Sequence, residues 1–474
     1  MGGFFAVAST NDCVDDLFYG TDYHSHLGTK RGGLACHDGQ RFHRYIHNIE
    51  NAPFRSKFET DILAMKGKLG IGVISDLDDQ PLIVHSHLGP FAIVTVGAIA
   101  NLPQLTERAL SNGAHFSEIA DGQVSQTELT ATLINQGKTF VEGIRLAQNA
   151  IEGSCSLLLL TADGVYAARD KFGRTPVAIG RRADAWAATF ETCAFPNLGF
   201  RLERQLGPGE IVRIRPDGVE GLAPPLPTLQ ICAFLWVYYG YPASSYEGIN
   251  AEAARYRCGA VLAQRDDTEV DCVAGIPDSG IGHAMGYATA KNLPFHRPFI
   301  KYTPTWPRSF LPHNPQAREL IARMKLIPIE DFIRGRRLLF CEDSIVRGTQ
   351  LKDTIQWLFD CGAREVHMRA ACPPLLFKCP YLNFSRYRNV MDLAARQAIG
   401  ELEGDNPADL YEYTDPDSPK YHAMVERIRR RLNLTSLKYQ RLPDLIAAIG
   451  LPKEALCTYC WSGVCGAGCC DKLA

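Results

Sequence analysis

The stretch Leu338–Asp353, LLFCEDSIVRGTQLKD, predicts three elements in succession: a buried strand, a tight turn and a helix. Its apolar run ends in two adjacent acids, Glu342 and Asp343, and a turn containing glycine and hydroxyl residues follows. In a parallel sheet, ligands bind at the carboxyl ends of the strands, where a loop leads into the start of a helix. This segment therefore predicts a mostly parallel α/β sheet with a ligand site at its edge.

The turn and the acid pair together predict the chemistry of that ligand. Backbone N–H groups at a helix start bind phosphate, and Gly348 would let a ligand approach the backbone closely. Two acids would repel a bare phosphate, but they suit hydroxyl groups or a magnesium ion on the same ligand. A phosphorylated sugar with a free cis-diol meets both demands. The competing interpretation is a strand end with two solvated acids, followed by an ordinary helix cap.

The chain around this segment divides into two regions. Downstream of a proline-rich linker at Glu220–Gln230, helical patterns alternate with the strand patterns EVDCVAGIPD, PFIKY, RRLLFCED and EVHMRAAC, which is typical of a parallel α/β domain. Upstream, short apolar runs separated by turn residues predict a β-rich domain. That domain also contains a long helical pattern, TELTATLINQGKTFVEGIRLAQNAI. A length of 474 residues is consistent with two domains or more.

Composition is typical of a soluble globular protein. Hydrophobic residues make up 46% of the chain and charged residues 22%, and the formal net charge of -2 gives no electrostatic reason to expect nucleic acid or an anionic membrane as a partner. No apolar run approaches the roughly 20 residues of a membrane-spanning helix. The N-terminal residues lack the basic start and long apolar stretch of a signal peptide. We therefore expect a cytoplasmic protein that binds neither nucleic acid nor a membrane.

The segment LLFCEDSIVRGT resembles the phosphoribosyl pyrophosphate (PRPP) motif of type I phosphoribosyltransferases. Its DSIVRGT portion is similar to that of glutamine PRPP amidotransferases, the family that opens purine biosynthesis. The resemblance extends in order along nearly the whole chain. The further matching segments are DLFYGTDYHSHLGTKRGGLA, YAARDKFGRTPVAIGR, FETCAFPNLG, GIPDSG, KYTPTWPRSF, ARELIARMKL, ACPPLLFKCPY and CTYC.

The resemblance implies a fold of two classes joined in one chain. Residues 1–226 would form an α+β domain, the αββα sandwich of N-terminal-nucleophile hydrolases, which in this family is a class II glutamine amidotransferase (glutaminase) domain. Residues 227–455 would form a type I phosphoribosyltransferase α/β domain. Residues 456–474 would be a cysteine-rich tail that completes an iron–sulfur site. The family further implies a homo-oligomer, either a dimer or a tetramer.

The resemblance also implies a role for each part of the PRPP site. Glu342 and Asp343 would hold the ribose hydroxyls, and with Ser279 they would lie at the magnesium-bound pyrophosphate. Cations would stabilise the charge of the departing pyrophosphate: Lys301, Lys325 and Arg308, of which Lys301 and Arg308 would be catalytic. The 5-phosphate would be held by the turn that follows the acid pair: Ser344, Ile345, Val346, Arg347, Gly348 and Thr349.

The cysteine content, 16 residues, is high for a reducing compartment. By resemblance to the cluster-bearing branch of the family, a 4Fe–4S cluster would be held by Cys232, Cys379 and the C-x-x-C pair Cys457 and Cys460. Two other interpretations remain open. The tail alone could bind zinc, because it also contains Cys465, Cys469 and Cys470, or its thiols could be free of any ligand. A tail-only zinc site would leave Cys232 and Cys379 without a function.

The N-terminal half departs from the family at the glutaminase site. The family's nucleophile is an N-terminal cysteine, but Gly2 stands at that position and cannot attack an amide. Three further family positions have also changed: Ser75 replaces the arginine that clamps the substrate carboxylate, Val96 replaces the asparagine of the oxyanion pair with Gly97, and Gln126 replaces the aspartate that binds the substrate amine. We therefore predict an inactive glutaminase domain.

Together these features predict an amidophosphoribosyltransferase-like pentosyltransferase that forms phosphoribosylamine and pyrophosphate from PRPP. Ammonia, rather than glutamine, would be its direct nitrogen source, and a separate ammonia-donating protein would be a candidate partner. Magnesium and the 4Fe–4S cluster are the expected cofactors. Two alternatives remain: a catalytically silent sensor of PRPP or nucleotides, and an enzyme that transfers the phosphoribosyl group to a different acceptor.

Overall fold

A computed structural model of the chain describes residues 2–117, 119–120, 122–302, 326–382, 390–404 and 409–464. In the N-terminal half it places fifteen strands and seven helices. The strands are β1 (Gly2–Ser9), β2 (Arg31–His37), β3 (Phe42–Asn48), β4 (Leu69–Ser75), β5 (Leu82–Ser86), β6 (Gly89–Ile99), β7 (Ile119–Ala120), β8 (Gln123–Val124), β9 (Gly153–Thr161), β10 (Gly164–Ala168), β11 (Ala178–Arg182), β12 (Ala185–Thr189), β13 (Arg201–Gln205), β14 (Ile211–Arg215) and β15 (Gly218–Ala223). The helices are α1 (Val14–Asp22), α2 (Phe54–Phe58), α3 (Asp61–Ala64), α4 (Leu102–Ser111), α5 (Gln126–Ile134), α6 (Phe140–Ala150) and α7 (Ala194–Asn197).

Most of these strands form two antiparallel sheets. One has the order β13-β11-β12-β1-β4-β2-β3 and the other the order β15-β14-β10-β9-β6-β5. Alternate side chains of each central strand point to opposite faces, as a pleated strand requires. In β1, Phe4 packs in the large core cluster that both sheets share, whereas Phe5 packs in the cluster that contains α1. The result is a sandwich of two sheets with helices outside.

The long helical pattern of this half is two helices rather than one. The periodic apolar residues continue through the segment, but the chain breaks at residues 135–139, between α5 and α6. A Cβ atom on Gly137, in the break, would collide with the backbone of Gly143 in α6, and one on Gly143 would collide with the carbonyl of Ile134 at the end of α5. The chain turns between the two helices because of this close contact, which hydrophobic periodicity cannot predict.

The C-terminal half has ten strands and seven α-helices among its described residues. The strands are β16 (Ile231–Cys232), β17 (Ser245–Tyr246), β18 (Ile249–Asn250), β19 (Cys272–Gly275), β20 (Phe299–Lys301), β21 (Leu326–Pro328), β22 (Arg337–Glu342), β23 (Glu365–Ala370), β24 (Ser436–Tyr439) and β25 (Leu456–Cys457). The helices are α8 (Ala251–Gln264), α9 (Ile281–Lys291), α10 (Thr349–Asp360), α11 (Ala394–Glu403), α12 (Pro419–Arg431), α13 (Leu442–Ile449) and α14 (Tyr459–Ser462). A π-helical turn covers Leu235–Tyr239, and short 3-10 turns cover Glu330–Phe332, Val390–Asp392, Tyr411–Tyr413 and Lys453–Ala455.

A parallel sheet of order β19-β22-β23-β24 forms the centre of this half. Its strands are short and apolar, and Leu338, Leu339 and Phe340 of β22 are fully buried. Such uninterrupted burial is typical of a parallel strand covered on both faces. The predicted parallel sheet is therefore present, with β22 leading into α10 as the opening segment indicates.

One predicted strand lies outside this sheet. The pattern PFIKY forms β20, which pairs antiparallel with β21 in a separate two-stranded sheet. Within the described part of the chain, no helix is long and apolar enough to span a bilayer.

Candidate active site

The acid pair lies at the carboxyl edge of the parallel sheet. Glu342 is the last residue of β22, and Asp343, which follows it, is only 4% exposed. The register of β19 against β22 aligns Gly275 with Cys341, and the Ile276 N–H donates to the Cys341 carbonyl at 3.0 Å. This pairing brings the loop Pro277–Gly280, which follows β19, next to the acid pair.

Hydrogen bonds and burial define the electrostatics of this edge. The hydroxyls of Ser279 and Ser344 hydrogen-bond the Asp343 carboxyl, the latter at 2.5 Å. Burial raises the pKa of Glu342 well above its usual range, and the adjacent Asp343 raises it further. Burial also raises the pKa of Asp343, although its hydrogen bonds and the charge of Arg255 oppose that shift. Glu342 is half-buried and Asp343 is buried, and two such acids side by side favour a shared proton or a bound cation over two free charges.

The turn after the acids presents its backbone rather than its side chains. Ile345 is buried in the core of the sheet domain, and Val346 packs against the neighbouring core. Gly348 has a φ of 77°, a left-handed conformation that favours glycine, and it caps the start of α10 at Thr349. The Arg347 guanidinium nitrogen Nη2 lies 3.7 Å from the Asp392 carboxylate oxygen Oδ2. The arrangement is a strand, a turn and a helix start, the geometry that binds phosphate through backbone N–H groups.

Of the three predicted cations, Lys301 lies among the described residues. The Lys301 ammonium, at the end of β20, lies 2.6 Å from the Asp278 carboxylate in the loop that follows β19. It therefore reaches the same edge as the acid pair. Arg308 and Lys325 lie outside the described residues.

A second site lies in the N-terminal half, where one pocket collects the altered glutaminase positions. Its lining includes Gly2, Ser75, Val96, Gly97 and Gln126, which are far apart in sequence. The space open to a water-sized molecule is about 10 Å³, which is room for roughly one water. None of the described residues that line it is Lys, Arg or His. The described lining therefore offers polar side chains and one carboxylate, Asp78, to whatever enters the pocket.

Most polar groups of this pocket are bonded within the protein. The Asp78 carboxylate accepts hydrogen bonds from the Thr127 N–H and hydroxyl, both at 2.9 Å, in the first turn of α5. The side-chain amide oxygen of Gln126, Oε1, accepts a hydrogen bond from the Ile99 N–H at 2.9 Å. Gln80 bonds both backbone groups of Thr95. Asp78 and Gln80 carry no sequence signal as pocket residues, because they lie in the loop between β4 and β5 and are held there by hydrogen bonds to Thr127 and Thr95.

The backbone also opposes a nucleophile at position 2. Gly2 pairs with Ser75 in the ladder between β1 and β4. A Cβ atom built on Gly2 would collide with the carbonyl oxygen of Ile74. Cysteine therefore cannot replace Gly2 without a shift of β4.

A third candidate site is formed by cysteines. Strands β16 and β25 pair in parallel and align Cys232 with Cys457. The carbonyl of Cys460 accepts the N–H groups of Leu376 and Phe377, in the segment that leads to Cys379. Burial raises the pKa of the Cys460 thiol, and the next contributions come from Cys379, Cys232 and Cys457. The four predicted ligands are therefore neighbours, whereas Cys465, Cys469 and Cys470 lie outside the described residues.

The chain matches curated amidophosphoribosyltransferases along most of its length. It is 28% identical to the amidophosphoribosyltransferase of Methanocaldococcus jannaschii, over 98% of this chain and 97% of that relative. It is 30% identical to the amidophosphoribosyltransferase of Archaeoglobus fulgidus, over 80% of this chain and 83% of that relative. The chain belongs to the amidophosphoribosyltransferase family. Its predicted membership of a pentosyltransferase enzyme family is therefore confirmed.

The fold of an amidophosphoribosyltransferase is also confirmed. A family model described as a glutamine amidotransferase domain matches residues 67–195. The solved glutamine PRPP amidotransferase from B. subtilis, complexed with ADP and GMP, superposes with a TM-score of 0.84 at 27% identity, covering 98% of this chain and 96% of that one. The predicted combination of a glutaminase-like sandwich and a phosphoribosyltransferase domain is thus the observed one.

Proposed function

We propose that this amidophosphoribosyltransferase-family chain transfers the phosphoribosyl group of PRPP to ammonia, forming phosphoribosylamine and pyrophosphate in purine biosynthesis. The observation that carries the proposal is the edge of the parallel sheet. There the acid pair, the Ser279 loop and the glycine-capped start of α10 meet. The names of the relatives supply the reaction class.

The chemistry follows from the groups at that edge. The C1–O bond of PRPP breaks, and its electron pair leaves with pyrophosphate while ammonia forms the new C1–N bond and then loses a proton. Glu342 and Asp343 would hold the ribose hydroxyls, and the turn Ser344–Thr349 would hold the 5-phosphate. Lys301, paired with Asp278, would meet the departing pyrophosphate. Arg308 and Lys325 belong to the same proposal as further cations.

Magnesium fits the donor set of this edge. Two carboxyls with raised pKa values and one serine hydroxyl lie together there, and oxygen donors are the ligands that magnesium prefers. Ser279, Glu342 and Asp343 would hold the ion together with pyrophosphate oxygens. When bound, magnesium neutralises charge on the leaving group. The described residues contain no group of three His, Cys, Asp or Glu side chains that could bind an ion alone, so the substrate phosphates are needed to complete the site.

A 4Fe–4S cluster on Cys232, Cys379, Cys457 and Cys460 is the second proposed cofactor. The four thiols are electrostatic neighbours, yet the described chain has no three metal-ligating side chains close enough for one ion. Four thiolates are the ligand set of a 4Fe–4S cluster, in which each binds a different iron. The cluster would fix β16 and β25 to each other.

The glutaminase half is proposed to be inactive, so that ammonia is the direct nitrogen source. The supporting observations are the water-sized pocket, its lack of a cation and the backbone that excludes a side chain at Gly2. A separate ammonia-donating protein is then a candidate partner.

Three assays on one preparation test the proposal. Pyrophosphate release from PRPP is measured with ammonium salt, with glutamine and with neither, and phosphoribosylamine is trapped chemically. We expect turnover with ammonium alone, and no glutamate release from glutamine. Glutamine-dependent turnover by the purified chain would refute the proposal that the glutaminase domain is inactive. Absence of turnover with both donors would favour a PRPP sensor.

A further inference from the structure

The loop between β10 and β11 places an arginine of the N-terminal half beside the cysteine site. The Arg174 carbonyl accepts a hydrogen bond from the Cys232 N–H at 3.2 Å, and the Phe172 carbonyl accepts one from the Gln230 N–H at 2.7 Å. Residues 172–174 therefore run alongside residues 230–232. The backbone of Arg174 directly positions one of the four proposed cluster ligands.

The side chain of Arg174 lies beside the segment that carries a second proposed ligand, Cys379. Its guanidinium carbon lies 3.8 Å from the ring centroid of Tyr381, two residues after Cys379, and 4.7 Å from that of Phe172. One guanidinium nitrogen donates to the Gly153 carbonyl at 3.0 Å. The residue is 1% exposed. The positive charge is thus fixed between the segment that holds Cys232 and the segment that holds Cys379.

Burying a guanidinium is costly, because arginine remains charged at every accessible pH. The guanidinium also donates to the side-chain oxygen of Gln230 at 3.4 Å, two residues before Cys232. The proposed cluster carries negative charge, because four thiolates outweigh the charge of its iron–sulfur core, leaving about -2 in the oxidised form. Opposite charges attract strongly in a buried, low-dielectric setting. Arg174 and the cluster therefore complement each other.

We propose that Arg174 is the electrostatic partner of the cysteine-held cluster, and that it raises the reduction potential of the cluster while linking the N-terminal half to it. The inference rests on the cluster proposed above and adds a residue to it. Cluster potentials depend on net charge, on hydrogen bonds and on solvent exposure. Removal of a fixed adjacent cation disfavours the reduced form, which carries one more negative charge.

A purely structural role for Arg174 makes a different prediction. If the side chain only packs and pins two segments, a neutral replacement that leaves the fold intact would leave the potential unchanged. Arg174→Gln and Arg174→Met are two such neutral replacements, and Arg174→Lys keeps the charge while changing its shape. Arg182 provides the matched control, because it also lies over an aromatic ring, Phe200, at 4.7 Å, within the N-terminal half.

The experiment uses full-length protein prepared without oxygen. Iron and sulfide are assayed, folding is checked by circular dichroism, and the midpoint potential is measured by mediated titration with electron paramagnetic resonance. For the neutral Arg174 variants we expect a tenfold or greater shift of the one-electron equilibrium toward the oxidised form, which is about 59 mV. Arg174→Lys is expected to retain most of the wild-type potential, and Arg182→Gln all of it.

The possible outcomes distinguish failure of the Arg174 inference from failure of the cluster proposal. Wild-type protein without iron and sulfide overturns the cluster and the inference together. An iron-loaded wild type whose potential equals that of the folded neutral variants overturns the role of Arg174 alone. If both neutral variants fold but lose the cluster while Arg174→Lys keeps it, the charge is needed to hold the cluster, which supports the inference.

Discussion

At the scale of single residues, the acid pair places two carboxyls side by side at the edge of the parallel sheet. Glu342 and Asp343 are adjacent, and burial raises the pKa of each. Hydroxyls from Ser279 and Ser344 hold the Asp343 carboxyl in place. The Asp343 carboxyl is therefore held in position by the protein itself.

Asp343→Asn tests the role of the negative charge. The amide keeps the size of the carboxyl, so we expect the fold to remain intact. Activity with PRPP and ammonium should fall by about 100-fold or more, which is about 2.7 kcal/mol of transition-state stabilisation. Pyrophosphate release under saturating magnesium measures the loss. Asp267→Asn, at a fully exposed carboxylate, is the control and should retain wild-type activity. Normal turnover by Asp343→Asn would remove the acid pair from the active site.

The pKa shift of Glu342 predicts a pH-dependent stability difference. Because its pKa is raised above the ordinary value of 4.5, the folded state retains a proton that the unfolded chain releases. The contribution of this residue to stability is therefore fully present below that value and decreases as the pH rises above it. Without ligand or metal, Glu342→Gln should unfold at the same temperature as wild type at about pH 5. At higher pH its unfolding temperature should exceed that of wild type, by a margin that grows toward about pH 8.

Thermal unfolding at a series of pH values measures that difference. Glu330→Gln is the matched control, because Glu330 is exposed and forms a surface ion pair with Arg334 at 2.5 Å. Its difference from wild type should not grow with pH in the same way. A constant offset between Glu342→Gln and wild type at all pH values would contradict the raised pKa.

At the scale of elements, sequence patterns predicted the strands, turns and helices that depend on neighbouring residues. The strand β22, the turn with Gly348 and the helix α10 were all predicted, because an uninterrupted apolar run, a glycine and an amphipathic repeat each have a local physical cause. The separate pairing of β20 with β21 was not predicted, because pairing partners depend on distant residues. The break between α5 and α6 was missed because Gly137 acts through contact with Gly143, which periodicity does not record.

Local motifs revealed some of the site residues, and contacts between distant segments determine the others. The acids and the cysteines could be named from motifs, and the structure brings Ser279 to Asp343 and Cys232 to Cys457. Asp78 gave no such signal. Its place in the N-terminal pocket depends on the hydrogen bonds to Thr127 at the start of α5, which no local pattern indicates.

The ladder between β1 and β4 predicts the outcome of restoring the nucleophile. Gly2→Cys would place a Cβ against the Ile74 carbonyl, so we expect lower thermal stability as well as no glutaminase activity. Ser75, Val96 and Gln126 would still leave glutamine unclamped and short of an oxyanion donor, and losing one such donor costs about 100- to 1000-fold.

Glutamate release and the unfolding midpoint check this expectation. Gly2→Ala is the control that adds the Cβ without the thiol, and it should lose as much stability as Gly2→Cys. Glutamine hydrolysis by Gly2→Cys alone would show that the remaining pocket is functional.

At the scale of the whole molecule, the cysteine site joins parts of the chain that are far apart in sequence. Strand β16 follows the linker, β25 lies near the C-terminus, and Arg174 comes from the N-terminal half. Loss of one ligand should therefore affect the stability of the protein as well as its colour.

Cys232→Ser tests this connection. Oxygen-free wild-type protein should be brown, with iron and sulfide near four each per chain, the content of one 4Fe–4S cluster. The variant should lose that colour and unfold at a lower temperature. Cys361→Ser, at a buried cysteine outside the proposed ligand set, should keep the iron. Full iron content in Cys232→Ser, or one zinc per wild-type chain, would contradict the cluster.

The pairing of β16 with β25 has a consequence for the order in which the protein is made. A ribosome releases Cys232 almost half a chain length before it releases Cys457 and Cys460. The sheet β19-β22-β23-β24 is complete before those last cysteines emerge. A chain terminated before Cys457 would therefore carry a finished phosphoribosyltransferase sheet but only Cys232 and Cys379 of the four proposed ligands. If the proposed cluster forms, bound iron would mark only chains translated past Cys460.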